Sequence, residues 1–165
     1  MRCTRLTVGT SLCLMLLGVP VMSHAQAPAP GASAIEVVRF GYAEVTGFIV
    51  RAAEMVPEAQ YGYRPTSSVR TLGQLIGHIA DGNTYYCGRA TGANPQWAET
   101  MGLSNATRAE LIAALRASIA ACTAAHSAAN ASRINHLLAN FGHVNHHYGN
   151  IVTYLRMLGL TPPSS

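Results

Sequence analysis

Two histidines four residues apart, His143 and His147, have the spacing that points most directly to chemistry. On an α-helix this spacing places both imidazoles on one face, one turn apart, and many zinc sites use it to hold a single ion. A structural pair is the commoner reason for the same spacing. The pattern alone therefore leaves both interpretations open.

A third histidine, His78, has the same kind of position in another segment, because it directly precedes an apolar residue of a helical seam. Gly82, one turn later, leaves space beside it. Three neutral imidazoles are a common ligand set for a catalytic divalent metal, with further positions for water or substrate. A single histidine on a helix is usually a satisfied polar group, so His78 is a candidate ligand at this stage.

Other polar residues near these histidines receive secondary predictions. Asp81 follows His78 by nearly one turn, and we expect it to orient that imidazole or to act as a base; a solvated carboxylate is the alternative. Asn150 and Tyr154 share the flank of His143 and His147 and are predicted to line a pocket. Of the remaining rings, Trp97 is predicted to cover an end of the fold, and His126 and His136 to lie at the surface or boundary.

The elements that must position these side chains are predicted to be four amphipathic helices. Apolar residues recur at steps of three and four in four segments, which is the pattern of one buried helical face each. The segments run over about 33–56, from a capping box at Thr71 to Cys87, from a second capping box at Thr107 to a loop at 130–132, and over 134–158. The sequence therefore predicts an all-α four-helix bundle.

The N-terminus has the pattern of a secretory signal peptide. Arg2 and Arg5 precede an apolar run over 12–22, and Ser23-His24-Ala25 offers small residues for cleavage after Ala25. A membrane anchor is the alternative, but the run is short for a bilayer. We expect a signal peptide over 1–25, a disordered lead-in over 26–33, a bundle over 34–160 and a tail over 161–165. The protein is then periplasmic or secreted, without stable membrane insertion after cleavage.

The charge argues against a nucleic-acid partner, and the cysteine content favours a disulfide. The formal net charge of +4 includes Arg2 and Arg5, there is no lysine, and no basic run marks a nucleic-acid surface. Cleavage leaves two cysteines, Cys87 and Cys122. Export to an oxidising compartment favours a disulfide between them, and two separate buried thiols are the alternative.

Two stretches resemble a known family. The segment from Tyr63-Arg64-Pro65 through residues 70–81 is similar to the start of the second helix of DinB-like (damage-inducible protein B) domains, and residues 143–150 with Tyr154-Leu155-Arg156 resemble their last helix. The resemblance covers essentially the whole chain after residue 25. It implies an up-down-down-up bundle in which His78, His143 and His147 hold one divalent metal ion, zinc or nickel. Where relatives have acidic residues between the paired histidines, this chain has Val144 and His146.

The resemblance also implies two enzyme classes. Some DinB-like proteins are thiol-dependent S-transferases, and others are assigned as metal-dependent hydrolases. The thiols are cytosolic, so export favours a hydrolase with Asp81 as the base and an unknown small molecule as its substrate. A non-catalytic metal- or ligand-binding bundle is the main alternative, an S-transferase relative or a stress-associated structural protein are others, and a homodimer is left open.

Overall fold

The computed structural model describes residues 27–129 and 131–165, and the predicted signal peptide lies outside them. Four helices are present: α1 (Ala34–Met55), α2 (Leu72–Ala90), α3 (Arg108–Ala128) and α4 (Ile134–Met157), with short 3-10 turns at Glu58–Gln60 and Ala131–Arg133. The described residues contain no strand. The prediction of an all-α four-helix bundle is confirmed.

Contacts between the helices give the up-down-down-up topology. Residue numbers rise together along α1 and α4 and along α2 and α3, so the helices of each pair are parallel. The contacts of α2 with α4 and of α1 with α3 run in opposite directions. Gly41–Phe141 and Phe48–Tyr148 join α1 to α4, and Gly73–Leu111 and Asn83–Ser118 join α2 to α3. His78–His147 and Asn83–Asn140 join α2 to α4, and Tyr42–His126 and Glu54–Arg116 join α1 to α3.

Helix ends follow the predicted capping chemistry. The hydroxyls of Thr71 and Thr107 accept hydrogen bonds from the backbone N–H groups of Gln74 and Glu110, whose side chains return to the cap, so both capping boxes are confirmed. At the end of α4, Gly159 has a φ of 76° and the N–H of Leu160 donates to the carbonyl of Leu155 at 2.8 Å. This Schellman geometry requires a left-handed residue, which glycine adopts without strain.

The core lies where the apolar seams of the four helices meet. Its fully buried side chains include Ile49, Ile79, Leu115 and Leu155. Cys87 of α2 and Cys122 of α3 form a disulfide across the parallel pair. By length and composition alone α3 could cross a membrane, a test that core helices of soluble proteins also pass; here it packs against α1 and α2.

One histidine lies elsewhere than predicted. His126 on α3 is buried, with 2% of its surface exposed, and its ring lies 4.8 Å from that of Tyr42. The predicted surface position was wrong because alanines surround this residue in the sequence, and they hide which face of α3 is covered.

Candidate metal centre

The structure brings the three predicted histidines together in the gap between α2 and α4. The Nε2 atom of His78 lies 3.0 Å from Nε2 of His147 and 3.2 Å from Nε2 of His143. His78 and His147 are buried and His143 is half-buried. One ring nitrogen from each of the three histidines therefore converges on a common point between the antiparallel helices α2 and α4.

Gly82 makes this approach of the helices possible. A Cβ atom at Gly82 would lie 2.2 Å from Cε1 of His143, closer than any side chain could be accommodated without moving the ring. The sequence indicated that Gly82 leaves space beside His78. The space is in fact filled by the imidazole of His143, from the opposite helix.

The spacing of these nitrogens fits a divalent metal ion. Ligands at about 2.0–2.1 Å from a tetrahedral zinc ion lie roughly 3.3 Å from one another. The two Nε2 separations at His78 are close to this value, and all three ligand atoms lie within 4.8 Å of one another. Neutral imidazole nitrogens suit zinc and nickel alike. The three histidines could thus hold a metal ion, and their chemistry does not choose between the two.

Burial keeps the three rings neutral. Loss of hydration, together with a smaller contribution from the neighbouring imidazoles, lowers the pKa of His147 to about 3 and that of His143 to about 4. The pKa of His78 is lowered as well, first by burial and then by the charge of Arg70. Neutral rings keep a lone pair for a metal at neutral pH.

A long loop, residues 91–107, is held against the site by Asp81. Its carboxylate accepts hydrogen bonds from the backbone N–H of Met101, at 3.0 and 3.1 Å, and of Gly102, at 2.8 Å. Gly77 permits this contact, since a Cβ there would lie 2.4 Å from the carbonyl oxygen of Met101. These bonds give Asp81 a role in anchoring the loop. Its predicted role as a base stays a prediction.

The same loop contributes Glu99, which the sequence did not single out. Its Oε1 atom lies 3.3 Å from Nδ1 of His78 and accepts a hydrogen bond of 2.7 Å from Nη2 of Arg70. A carboxylate at Nδ1 holds the proton there and leaves the Nε2 lone pair free for a metal. No periodic signal marks a loop residue, so Glu99 could be found only from the structure.

Trp97 covers the histidine cluster. Its ring lies 5.5 Å from that of His78 and 6.2 Å from that of His143, and it also packs edge-on against Tyr85. The prediction that Trp97 covers an end of the fold was wrong, because the loop folds back and places the ring against His78 and His143. By shielding them from water, it strengthens electrostatic interactions at the site.

Asn150 and Tyr154 line a cavity of about 630 Å³ together with His147 and the exposed His146. The amide nitrogen of Asn150 lies 3.4 Å from Nδ1 of His147. Rotation of that amide would place its oxygen there to accept the Nδ1 proton. The hydroxyl of Tyr154 donates to the carbonyl of Arg70 at 2.8 Å and closes one end of the cavity.

Comparison with known proteins identifies the family. The family model of the DinB superfamily matches residues 48–151, which include α2, α3 and the part of α4 that carries both paired histidines. The chain belongs to the DinB superfamily. No match was found among curated proteins or among solved structures.

Proposed function

We propose that this member of the DinB superfamily is an exported, metal-dependent hydrolase that uses His78, His143 and His147 to hold one zinc or nickel ion. The observation that carries the proposal is the convergence of three neutral Nε2 atoms beside a cavity that His147 also lines. An open cavity next to a three-histidine ligand set is the arrangement expected of a catalytic rather than a closed structural site.

Export is supported by two independent features. The first 25 residues have the charge and hydropathy pattern of a cleaved signal peptide. The disulfide between Cys87 and Cys122 is of a kind that persists in oxidising compartments such as the periplasm. Cytosolic low-molecular-weight thiols would be absent there, which disfavours an S-transferase.

A bound divalent ion supplies Lewis acidity and activates water for attack on a carbonyl or similar group. The chain's own residues prepare the site for it. The carboxylate of Glu99, 3.3 Å from Nδ1 of His78, favours a proton on that atom. Trp97 limits water access, and the cavity beside His147 receives the substrate. The oxygens of Asp81 already accept loop N–H groups, so its part in this proposal is to hold that loop in place.

A second candidate function is a non-catalytic metal- or ligand-binding bundle. The engagement of both nearby carboxylates favours it, because Asp81 is bonded to loop amides and Glu99 to Arg70 and His78. A hydrolase usually needs a basic group free to move a proton.

Metal analysis of the purified protein tests the site. We expect about one zinc or nickel ion per chain, and loss of that ion in His143→Ala, because two ligands hold a divalent ion far more weakly than three. His136→Ala removes a half-buried imidazole from the same helix and should keep the metal. Absence of stoichiometric metal, with equal thermal stability of the protein and of His143→Ala, would contradict the proposal.

An activity screen then separates the two candidates. Ester, amide and thiol-transfer substrates are offered to the metal-loaded protein and to His143→Ala. Hydrolysis that requires His143 supports the hydrolase. Full metal loading without turnover of any ester or amide supports the binding bundle. Turnover that occurs only with an added thiol would favour an S-transferase over both.

A further inference from the structure

Arg70 links the histidine cluster to the adjacent cavity. Its Nη2 atom pairs with Glu99, which in turn contacts His78, and the side chain is 38% exposed where it lines the cavity. Nε of Arg70 is buried without a hydrogen-bond partner, and Nη1 has no hydrogen-bond partner among the described residues. Nη2 is thus held by Glu99, Nε is shielded, and Nη1 is the donor that remains for a ligand.

The lining of the cavity carries one positive charge, that of Arg70, which Glu99 already pairs at Nη2. No aspartate or glutamate lines it, and Arg70 is its one permanently charged side chain. One guanidinium matches the planar geometry and the charge of a carboxylate. A phosphate dianion would be better matched by several cations.

The remaining walls favour an organic ligand. Hydroxyls come from Ser67 and Ser68 in the loop before α2, and apolar groups come from Pro65, Val69, Leu75 and Leu103. A cavity of about 630 Å³ is within the usual range for small-molecule sites. Apolar walls with a few polar groups bind the body of a ligand, and the charged group orients it.

We propose that this cavity binds a small organic monocarboxylate, whose carboxylate pairs with Arg70 while its apolar body lies against Leu75 and Leu103. This inference rests on the proposed function in one respect, namely that the monocarboxylate is the substrate and that its other end reaches His147. The pairing with Arg70 itself requires only the residues of the cavity.

Binding of benzoate, of its neutral analogue benzamide and of inorganic phosphate tests the proposal by calorimetry on the zinc-loaded protein. We expect Arg70→Gln to weaken benzoate binding at least about tenfold, the usual effect of losing a charge-assisted hydrogen bond. The matched control is Arg156→Gln, which removes an equal charge from an exposed position in the last turn of α4. It should leave benzoate affinity unchanged.

Benzamide should bind the unaltered protein at least about tenfold more weakly than benzoate. If Arg70→Gln unfolds, this comparison still tests the proposal, because equal affinity for benzoate and benzamide would overturn it. Equal losses of benzoate affinity in the two arginine variants, or no loss in Arg70→Gln, would do the same. Phosphate binding that is tighter than benzoate binding and equally dependent on Arg70 would overturn the assignment of an organic carboxylate.

Repeating the benzoate titrations after chelation separates this inference from the proposed function. The difference between Arg70→Gln and Arg156→Gln should persist without metal, because the guanidinium is held by Glu99 and not by the ion. A protein that carries no metal but keeps this difference would refute the metal-dependent function and retain the anion site. A difference that vanishes on chelation would show that benzoate binds the ion, and would overturn the pairing with Arg70.

Discussion

Two buried polar regions include residues of both α2 and α4, and they use their polar atoms in opposite ways. The first, which we call the amide layer, consists of Asn83, Asn140, Tyr42 and Ser118. In it, Oδ1 of Asn83 accepts from Tyr42 at 3.1 Å and from Asn140 at 3.0 Å, and its Nδ2 donates to Ser118 at 3.1 Å. The second is the histidine cluster, whose Nε2 atoms point at one another.

The difference distinguishes buried polar groups that stabilise the fold from buried polar groups that can bind a ligand. Buried polar groups are costly unless they are paired, and the central residue of the amide layer has a partner at each side-chain heteroatom. In the histidine cluster the Nε2 atoms face one another, and with the ring protons on Nδ1 their lone pairs are left for a metal ion. The two regions are less than a turn apart on α4, between Asn140 and His143, so the change from scaffold to site takes place within one helical turn.

We expect the largest effect, a loss of stability without loss of metal, from Asn83→Leu in the amide layer. The hydroxyl of Tyr42 would lose its partner and the amide of Asn140 its oxygen acceptor, leaving only the sulfurs of Cys87 and Cys122, at a cost of about 3 kcal/mol or more in the free energy of unfolding. The histidine cluster does not use Asn83, so zinc stoichiometry should be unchanged.

Urea denaturation and metal analysis of Asn83→Leu check both parts of this prediction. Asn145→Leu is the matched control, because Asn145 is exposed on α4 and donates only to the carbonyl of Phe141. It should change the free energy of unfolding by no more than about 0.5 kcal/mol. Loss of zinc from a folded Asn83→Leu protein would mean that the two regions are not independent.

Gly82→Ala should have the converse effect. The new methyl group would meet the His143 ring, and displacement of that ring should lower zinc affinity about 100-fold, at the upper end of what disturbed ligand support costs. Gly149→Ala on α4 faces open space and should keep zinc affinity while raising the free energy of unfolding by about 0.5–1 kcal/mol. Competition with a chromophoric chelator measures both affinities. Equal affinities in the two variants would show that His143 is not a ligand.

Glu99→Gln should lower zinc affinity about tenfold, because a neutral amide attracts the Nδ1 proton of His78 less strongly than the carboxylate does. Cobalt-substituted protein gives a second readout, since a reoriented imidazole shifts the visible absorption bands. The exposed Glu58→Gln is a charge-matched control. An unchanged spectrum and affinity in Glu99→Gln would limit Glu99 to pairing with Arg70.

The smallest effect concerns His126, a buried imidazole outside both regions, whose ring nitrogens have no partner among the described residues. Burial lowers its pKa below 6.5, so the unfolded chain binds more protons and stability falls as the pH drops below 6.5 toward the folded pKa. His126→Leu should make the free energy of unfolding fall less steeply as the pH drops below 6.5. The metal ligands are common to both proteins and cancel in the difference. Parallel pH profiles would contradict this assignment.

Much of the framework was predictable because it depends on local geometry. The capping boxes at Thr71 and Thr107, the end of α4 at Gly159 and the shared face of His143 and His147 all follow from neighbours within one or two turns. The position of His126 was not predictable, because α3 is rich in alanine and an alanine fits a buried or an exposed face equally well.

By itself, therefore, the sequence determined the four helices, their caps and the pairing of two histidines on α4, since the helical repeat of 3.6 residues fixes those relations. The tertiary structure decided how α2 aligns with α4, which places His78 opposite His147 and fits His143 against Gly82. It also decided that a loop residue, Glu99, reaches His78 and that Arg70 faces a cavity beside the cluster. These relations depend on packing between segments distant in the chain, and no local repeat encodes them.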